Sequence, residues 1–232
     1  MNNKEPILRL QDICKSYMQA DQPRLILDNA KLEIHSGEII AIIGRSGSGK
    51  STLLNMMSGI DKPDSGKVII SQQVINELSE YERTCYRREH MGFVFQFFNL
   101  IPTLTVRENI LLPLELNKSL NPSNIDFIES LLFKIGLNNR INHYPDQLSG
   151  GEQQRIAILR AIAHKPKLVF ADEPTGNLDA ETGADVLNLL QDMVRNFNMT
   201  LLMVTHSSDV SEIANRVFAM KHGKLVKLQN HD

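Results

Sequence analysis

Cysteine is nearly missing from this chain. Cys14 and Cys85 are the only two, far apart and without metal-type spacing. That excludes a disulfide framework and points to a reducing compartment. Long apolar runs are missing as well. None approaches the ~20 residues of a membrane helix, and Met1-Asn2-Asn3-Lys4-Glu5 lacks the apolar core of a signal peptide. Any membrane connection is therefore expected to come through a partner. There is no excess of one charge: the formal net charge is −2, which argues against general attraction to nucleic acid or anionic lipid. Repeats and low-complexity segments are absent. What is present is an ordinary globular composition, 42% apolar and 22% charged over 232 residues. That is enough chain for a sizeable core, in one large domain or two small ones.

The chain is organised around Gly44-Arg45-Ser46-Gly47-Ser48-Gly49-Lys50-Ser51-Thr52. The spacing is that of a phosphate-binding loop: Gly, four residues, then Gly-Lys-Ser/Thr. Glu38 to Ile43 precedes it as a β-branched apolar run that reads as a buried strand, and a helix is expected from Thr52 onward. Glycines at 44, 47 and 49 let the backbone approach an anion closely, and successive N–H groups at a helix start point at it. Lys50 can reach the β- and γ-phosphates of a nucleotide, and the Ser51 hydroxyl can ligate Mg²⁺.

Ile7 to Ile13 alternates as a half-buried strand, and Ala30 to Ile34 reads as another. Tyr17 either stacks on a nucleobase or is an ordinary core or surface tyrosine. Asp61 to Gly66 is a dense turn, followed by a strand to Ile70. Ser79 to Glu82 and Thr105 to Glu108 read as capping boxes. Met91 to Gln96 is an apolar strand ending in a lone amide, which binds Mg²⁺, orients a water or is simply a loop residue. Phe97-Phe98-Asn99-Leu100-Ile101-Pro102 is unusually apolar for the loop it forms. Asn121-Pro122 to Ile135 reads as a helix.

Ser149 caps a helix that opens on Gly150 and Gly151, either as a second anion site or as a plainly capped helix. Lys167 to Glu173 is an apolar strand ending in two carboxylates. Beside a phosphate loop, Asp172 suits Mg²⁺ and Glu173 suits the attacking water. Thr200 to Thr205 is a strand ending at His206, where doubly wound sheets place ligands. Arg216 to Met220 and Lys224 to Leu228 pair as a hairpin around His222-Gly223.

Leu148-Ser149-Gly150-Gly151-Glu152-Gln153-Gln154-Arg155 closely resembles the signature of the ATP-binding cassette (ABC) ATPases, and the resemblance covers nearly the whole chain. Tyr17 matches the adenine-stacking aromatic, Gly44 to Thr52 Walker A, and Gln96 the Q-loop. Leu168 to Asp172 matches Walker B with Glu173 as the catalytic glutamate. Asn177-Leu178-Asp179 matches the D-loop and His206 the switch histidine. Gly92 to Gln96, Leu100 to Leu104, Glu108-Asn109 and Asp172 to Asp179 resemble the group that serves lipoprotein release, macrolide export and cell division, the first two most. Two small departures are Ser207-Ser208 after His206, where an acid is common, and Leu159, where alanine is common.

The resemblance implies an α/β fold: a mixed-sheet ATPase core, an antiparallel β part near the N-terminus, and a helical subdomain over about 97–151 within a single domain. It implies ATP and Mg²⁺, with Ser51, Gln96 and Asp172 at the metal. Glu173, His206 and Lys50 would serve hydrolysis. Nucleotide contacts would come from Tyr17, Gly44, Ser46, Gly47, Ser48, Gly49, Lys50, Ser51, Thr52, Gln96, Ser149, Gly150, Gly151 and Asp179. It further implies a head-to-tail homodimer on the cytoplasmic face of the inner membrane. A permease would dock near Phe97 to Leu104 and handle lipoproteins, lipids or amphiphilic drugs. An import system is the runner-up direction. A soluble cassette ATPase acting on nucleic acid is disfavoured, because coiled-coil insertions, zinc motifs and a second cassette are all absent.

Overall fold

A computed structural model describes residues 5–207 and 209–228. Met1–Lys4, part of the N-terminal segment read above, and Ser208 lie outside the described residues. In chain order the elements are β1 (Leu8–Gln19), β2 (Gln22–Ile34), β3 (Ile39–Ile43), α1 (Lys50–Met57), β4 (Ser65–Ile70), β5 (Gln73–Val74), α2 (Glu80–His90), β6 (Met91–Phe95), α3 (Val106–Leu116), α4 (Pro122–Lys134), α5 (Gly150–Ile162), β7 (Leu168–Asp172), α6 (Ala180–Phe197), β8 (Thr200–Thr205), β9 (Arg216–Lys221) and β10 (Lys224–Lys227). The chain divides into two compact units. One runs up to Arg87 and resumes at Thr200; the other is Arg88–Met199.

The first unit holds an antiparallel sheet in the order β2-β1-β4-β5. β1 and β2 are longer than the alternation predicts. They join through Ala20 and Asp21, both at positive φ (47 and 59), so Gln19 faces Gln22 and Tyr17 faces Arg24. That is the turn geometry whose twist suits a hairpin. The outer ends are exposed on both faces, Met18 and Leu25 included, and are held by pairing instead of burial, so no alternation marks them. Asp12 and Asn29, also at positive φ, lie where the register between the two strands shifts.

The same unit contains β3 flanked in parallel by β8 and β9, with β10 antiparallel on β9. Every residue of β8 is buried, and so are Ile39 to Ile42 of β3. A strand buried on both faces has no polar positions, which is why both read as continuous apolar runs. The junctions are tied by polar bonds. Asn215 Oδ1 accepts from the Ile39 N–H at 2.7 Å, and Thr200 Oγ1 accepts from the Gly37 N–H at 3.0 Å.

The second unit has the parallel pair β6 and β7 with helices α3 to α6. The expected helical subdomain range falls inside it. Phe93 stacks on Phe170 across the strand pair, centroids 5.7 Å apart. The expected capping box of Thr105 with Glu108 forms, and the expected Ser149 cap forms a second box with Glu152. Asn121 caps α4, with Pro122 in its first turn. Helix α6 is not anticipated by the motif reading, though its buried stripe Val186, Leu187, Leu190, Met193 and Val194 has helical spacing. Among the described residues, no helix is long and apolar enough to cross a membrane.

Candidate functional site

The phosphate-loop segment is built from β3 outward. Gly49 caps α1 in a left-handed conformation (φ 100, ψ 9), and a Cβ there would stand 2.9 Å from Ile26 Cγ2. Both strain and space therefore demand glycine. This lets α1 begin at Lys50, two positions earlier than the apolar pattern predicts. Lys50 is 7% exposed. Its ammonium donates to the Gly44 carbonyl at 2.8 Å and the Arg45 carbonyl at 3.2 Å, so the loop curls around it. Ser48 Oγ is buried and makes no hydrogen bond among the described residues. An added Cβ at Gly44 would lie 2.8 Å from that oxygen. An orphaned hydroxyl in a glycine-lined cradle fits a phosphate well.

A cavity of about 890 Å³ opens beside this loop. It brings Gly44, Ser46, Gly47 and Ser48 together with His206, which is exposed at the end of β8. Tyr17 is not on this cavity. Its hydroxyl reaches Asp61 at 2.8 Å and also bonds the Thr52 side chain. Burial, then the bond to Asp61, raises the Tyr17 phenol above its usual value. Ser51 is exposed and Thr52 half-buried. Sequence reasoning missed Arg24, Arg45 and Lys221, which add cationic groups to the cavity wall, and His222, which also lines it. The β9–β10 turn was legible, but its placement depends on the Asp28 N–H bonding the Gly223 carbonyl at 3.0 Å.

In the second unit β7 ends on Asp172, and both Asp172 and Glu173 are half-buried. Glu173 leaves the strand at φ 48, a conformation that costs a non-glycine residue ~1 kcal/mol or more. The turn that follows is fixed from several sides. The Gly176 N–H bonds the Glu173 carbonyl at 3.0 Å. The fully buried Gln154 of α5 donates to the Pro174 carbonyl at 2.6 Å. Gln96 donates to Asn177 Oδ1 at 3.1 Å.

The signature residues sit at the start of α5. Ser149 is exposed and its hydroxyl accepts from the Glu152 N–H at 3.3 Å, while Glu152 accepts from the Ser149 N–H at 2.8 Å. That backbone bond, helped by the Ser149 hydroxyl and Arg140, holds the Glu152 carboxyl below its usual range. A Cβ at Gly151 would come within 2.4 Å of Thr182 Cγ2, so α5 approaches α6 there only because Gly151 lacks one. Asp179 caps α6, accepting from the Thr182 N–H at 3.0 Å, a bond that lowers its own carboxyl.

A strand, a glycine loop curled around a buried lysine, and a helix starting on that lysine define a phosphate-loop nucleotide-binding protein. The ABC transporter family profile matches residues 27–176. An uncharacterized ABC transporter ATP-binding protein of Mycobacterium tuberculosis is 47% identical over 230 residues, covering 99% of this chain and 93% of the relative. The lipoprotein-releasing system ATP-binding protein LolD of Pseudomonas fluorescens is 39% identical, covering 97% of this chain and all of the relative. Among solved structures, a dimeric post-hydrolysis state of the ATP-binding cassette MJ0796, bound to ADP and Pi, superposes with a TM-score of 0.87 at 37% identity, over 97% of this chain and 99% of that one. The chain belongs to the ABC transporter family, as an ATP-binding subunit and ATPase with the expected mixed α/β fold.

Proposed function

We propose that this subunit hydrolyses ATP on the cytoplasmic face of the inner membrane to drive a permease that extracts or exports lipoproteins or related lipids and amphiphiles. The observation that carries the reading is its near end-to-end likeness to lipoprotein-releasing ATPases, 39% identical over 97% of the chain. The working unit is a homodimer of single-domain subunits, with the helical subdomain over about 97–151 facing the permease. A neighbouring cassette also occurs as a dimer.

In this reading Gly44, Ser46, Gly47, Ser48, Gly49 and Thr52 wrap the phosphates with backbone N–H groups and hydroxyls, and Lys50 neutralises the β- and γ-phosphate charge. Ser51, Gln96 and Asp172 hold Mg²⁺, which when bound supplies charge neutralisation at the phosphates. Glu173 orients and deprotonates the attacking water, and His206 contacts the γ-phosphate. Tyr17 receives the adenine. Ser149, Gly150, Gly151 and Asp179 meet the nucleotide of the partner subunit.

The test is reconstitution with its permease in liposomes carrying an acylated lipoprotein. Release that requires ATP and is lost with Lys50→Ala is expected. Turnover coupled only to a solute delivered by a binding protein would replace this reading with import.

A further inference from the structure

Tyr17 is not a loose surface ring. Its hydroxyl donates to Asp61 Oδ2 at 2.8 Å, and the Lys15 ammonium stands over its ring, 5.1 Å from the centroid. That ammonium lies 3.0 Å from the same Asp61 oxygen and 3.8 Å from Asp64 Oδ1. It also donates to the Lys62 carbonyl at 2.6 Å. Lys15 is only 9% exposed. Withdrawing an ammonium that far from water is costly unless partners replace its hydration, and here two carboxylates and a carbonyl do so. The acids are themselves fixed. Asp61 Oδ1 accepts from the Lys62 N–H at 2.7 Å, and Asp64 Oδ2 accepts from the Ser16 N–H at 2.7 Å.

The geometry points to Lys15 and Asp61 as positioning residues that hold Tyr17 as a rigid, one-sided platform for the adenine of ATP. The inference rests on the proposal that Tyr17 receives the base. A tyrosine ring turns about two side-chain torsions. A tie at its hydroxyl and a cation on one face restrict both before the base arrives, so less ordering entropy is lost on binding. The cation occupies one face and leaves the opposite face to the base.

A double-mutant cycle on the full chain tests this. ATP affinity is read by titration calorimetry, with inorganic tripolyphosphate as the probe that has no base. Tyr17→Ala is expected to weaken ATP about tenfold and to leave tripolyphosphate unchanged. Lys15→Met is expected to weaken ATP about fivefold, again with tripolyphosphate unchanged. The double variant is expected to match Tyr17→Ala alone. Additive losses overturn the inference. So does equal loss of tripolyphosphate in Lys15→Met, because Lys15 would then act on the phosphates by charge. If Tyr17→Ala alone binds ATP as the parent does, the platform itself is wrong and the positioning role falls with it. If Lys15→Met does not fold, Asp61→Asn replaces it in the cycle. That variant keeps an acceptor for the Tyr17 hydroxyl and removes the charge holding Lys15, and the same non-additivity is required.

Discussion

Gln96 and Asn177 exchange two hydrogen bonds. The Gln96 side-chain amide donates to Asn177 Oδ1 at 3.1 Å, and the Asn177 amide donates back to the Gln96 carbonyl at 2.9 Å. The pair ties the end of β6 to the turn that follows Glu173. Gly176 sits against the Gln96 side chain, where an added Cβ would be 3.0 Å from Nε2. With its nitrogen engaged by Asn177, the Gln96 amide is fixed in orientation.

With the role proposed for Gln96, that arrangement makes Asn177 a handle on hydrolysis. Each bond contributes about 1 kcal/mol net, so Asn177→Ala is expected to lower the ATPase rate about fivefold to twentyfold. Asn177→Asp keeps the acceptor for Gln96 and loses the donor, and its rate should fall in between. Steady-state phosphate release across the three proteins gives the order, and equal rates in parent and Asn177→Ala would exclude the coupling.

The Gln96–Asn177 pair also marks where sequence reasoning stops. Strands β3, β7 and β8 and the capped starts of α3 and α5 were legible, because burial on both faces and the Ser/Thr-x-x-Glu spacing are local patterns. The outer half of β2 was not, because Gln22 to Leu25 is exposed and held by pairing to β1. The phosphate loop could be read because its chemistry is contiguous. The link between Gln96 and Asn177 joins residues 81 apart, and the hold of Lys15 and Asp61 on Tyr17 is likewise non-local. Helix α6 escapes the motif reading because its cap, Asp179, also falls in the Asn177-Leu178-Asp179 match.

The role proposed for Glu173 predicts that activity and stability separate there. Glu173→Gln is expected to bind ATP yet hydrolyse it about a hundred- to ten-thousandfold more slowly, and to collect as an ATP-bound dimer in size-exclusion chromatography. Glu173→Gly should lose hydrolysis equally. Its melting temperature should stay within a few degrees of the parent, because relief of the left-handed backbone offsets the added chain freedom of glycine. A large drop in melting temperature would mean that the side chain has a structural task.

Acid should weaken the fold through its helix caps. The Glu82 carboxyl is lowered chiefly by the Ser79 hydroxyl, Glu108 by the Thr105 N–H, and Glu152 by the Ser149 N–H. A carboxyl with a depressed folded value stabilises the fold above its unfolded value of about 4.3. That stability is lost as pH falls through the lower folded value. Melting temperature should therefore decline below about pH 4.5. Substituting Glu82, Glu108 and Glu152 with Gln keeps each capping box without a titrating group, so that decline should flatten. An unchanged slope in the triple variant would place the acid sensitivity elsewhere.

The apolar run after Gln96 is divided between fold and surface, which decides how to test it for permease docking. Phe97 is 72% exposed and Ile101 37% exposed, while Phe98, Leu100 and Leu104 are half-buried. The loop backbone is held from within its own unit. The fully buried Asn109 accepts from the Ile101 N–H at 2.8 Å and donates to the carbonyls of Ile101, Leu104 and Thr105 at 3.0 Å. Arg160 donates to the carbonyls of Phe98 and Asn99 at 2.9 and 2.6 Å. A rigid loop displaying a phenylalanine to water suits an apolar partner helix. Phe97→Glu is therefore expected to leave melting temperature and ATP affinity close to the parent, and to cut co-purification with the permease at least about tenfold. Asn109→Ala removes the buried anchor and should lower both melting temperature and docking, since an unsatisfied backbone loop no longer holds its shape. Intact co-purification of Phe97→Glu would move the docking surface off this loop. A Phe97→Glu protein that fails to fold would show that the exposed ring is needed by the fold.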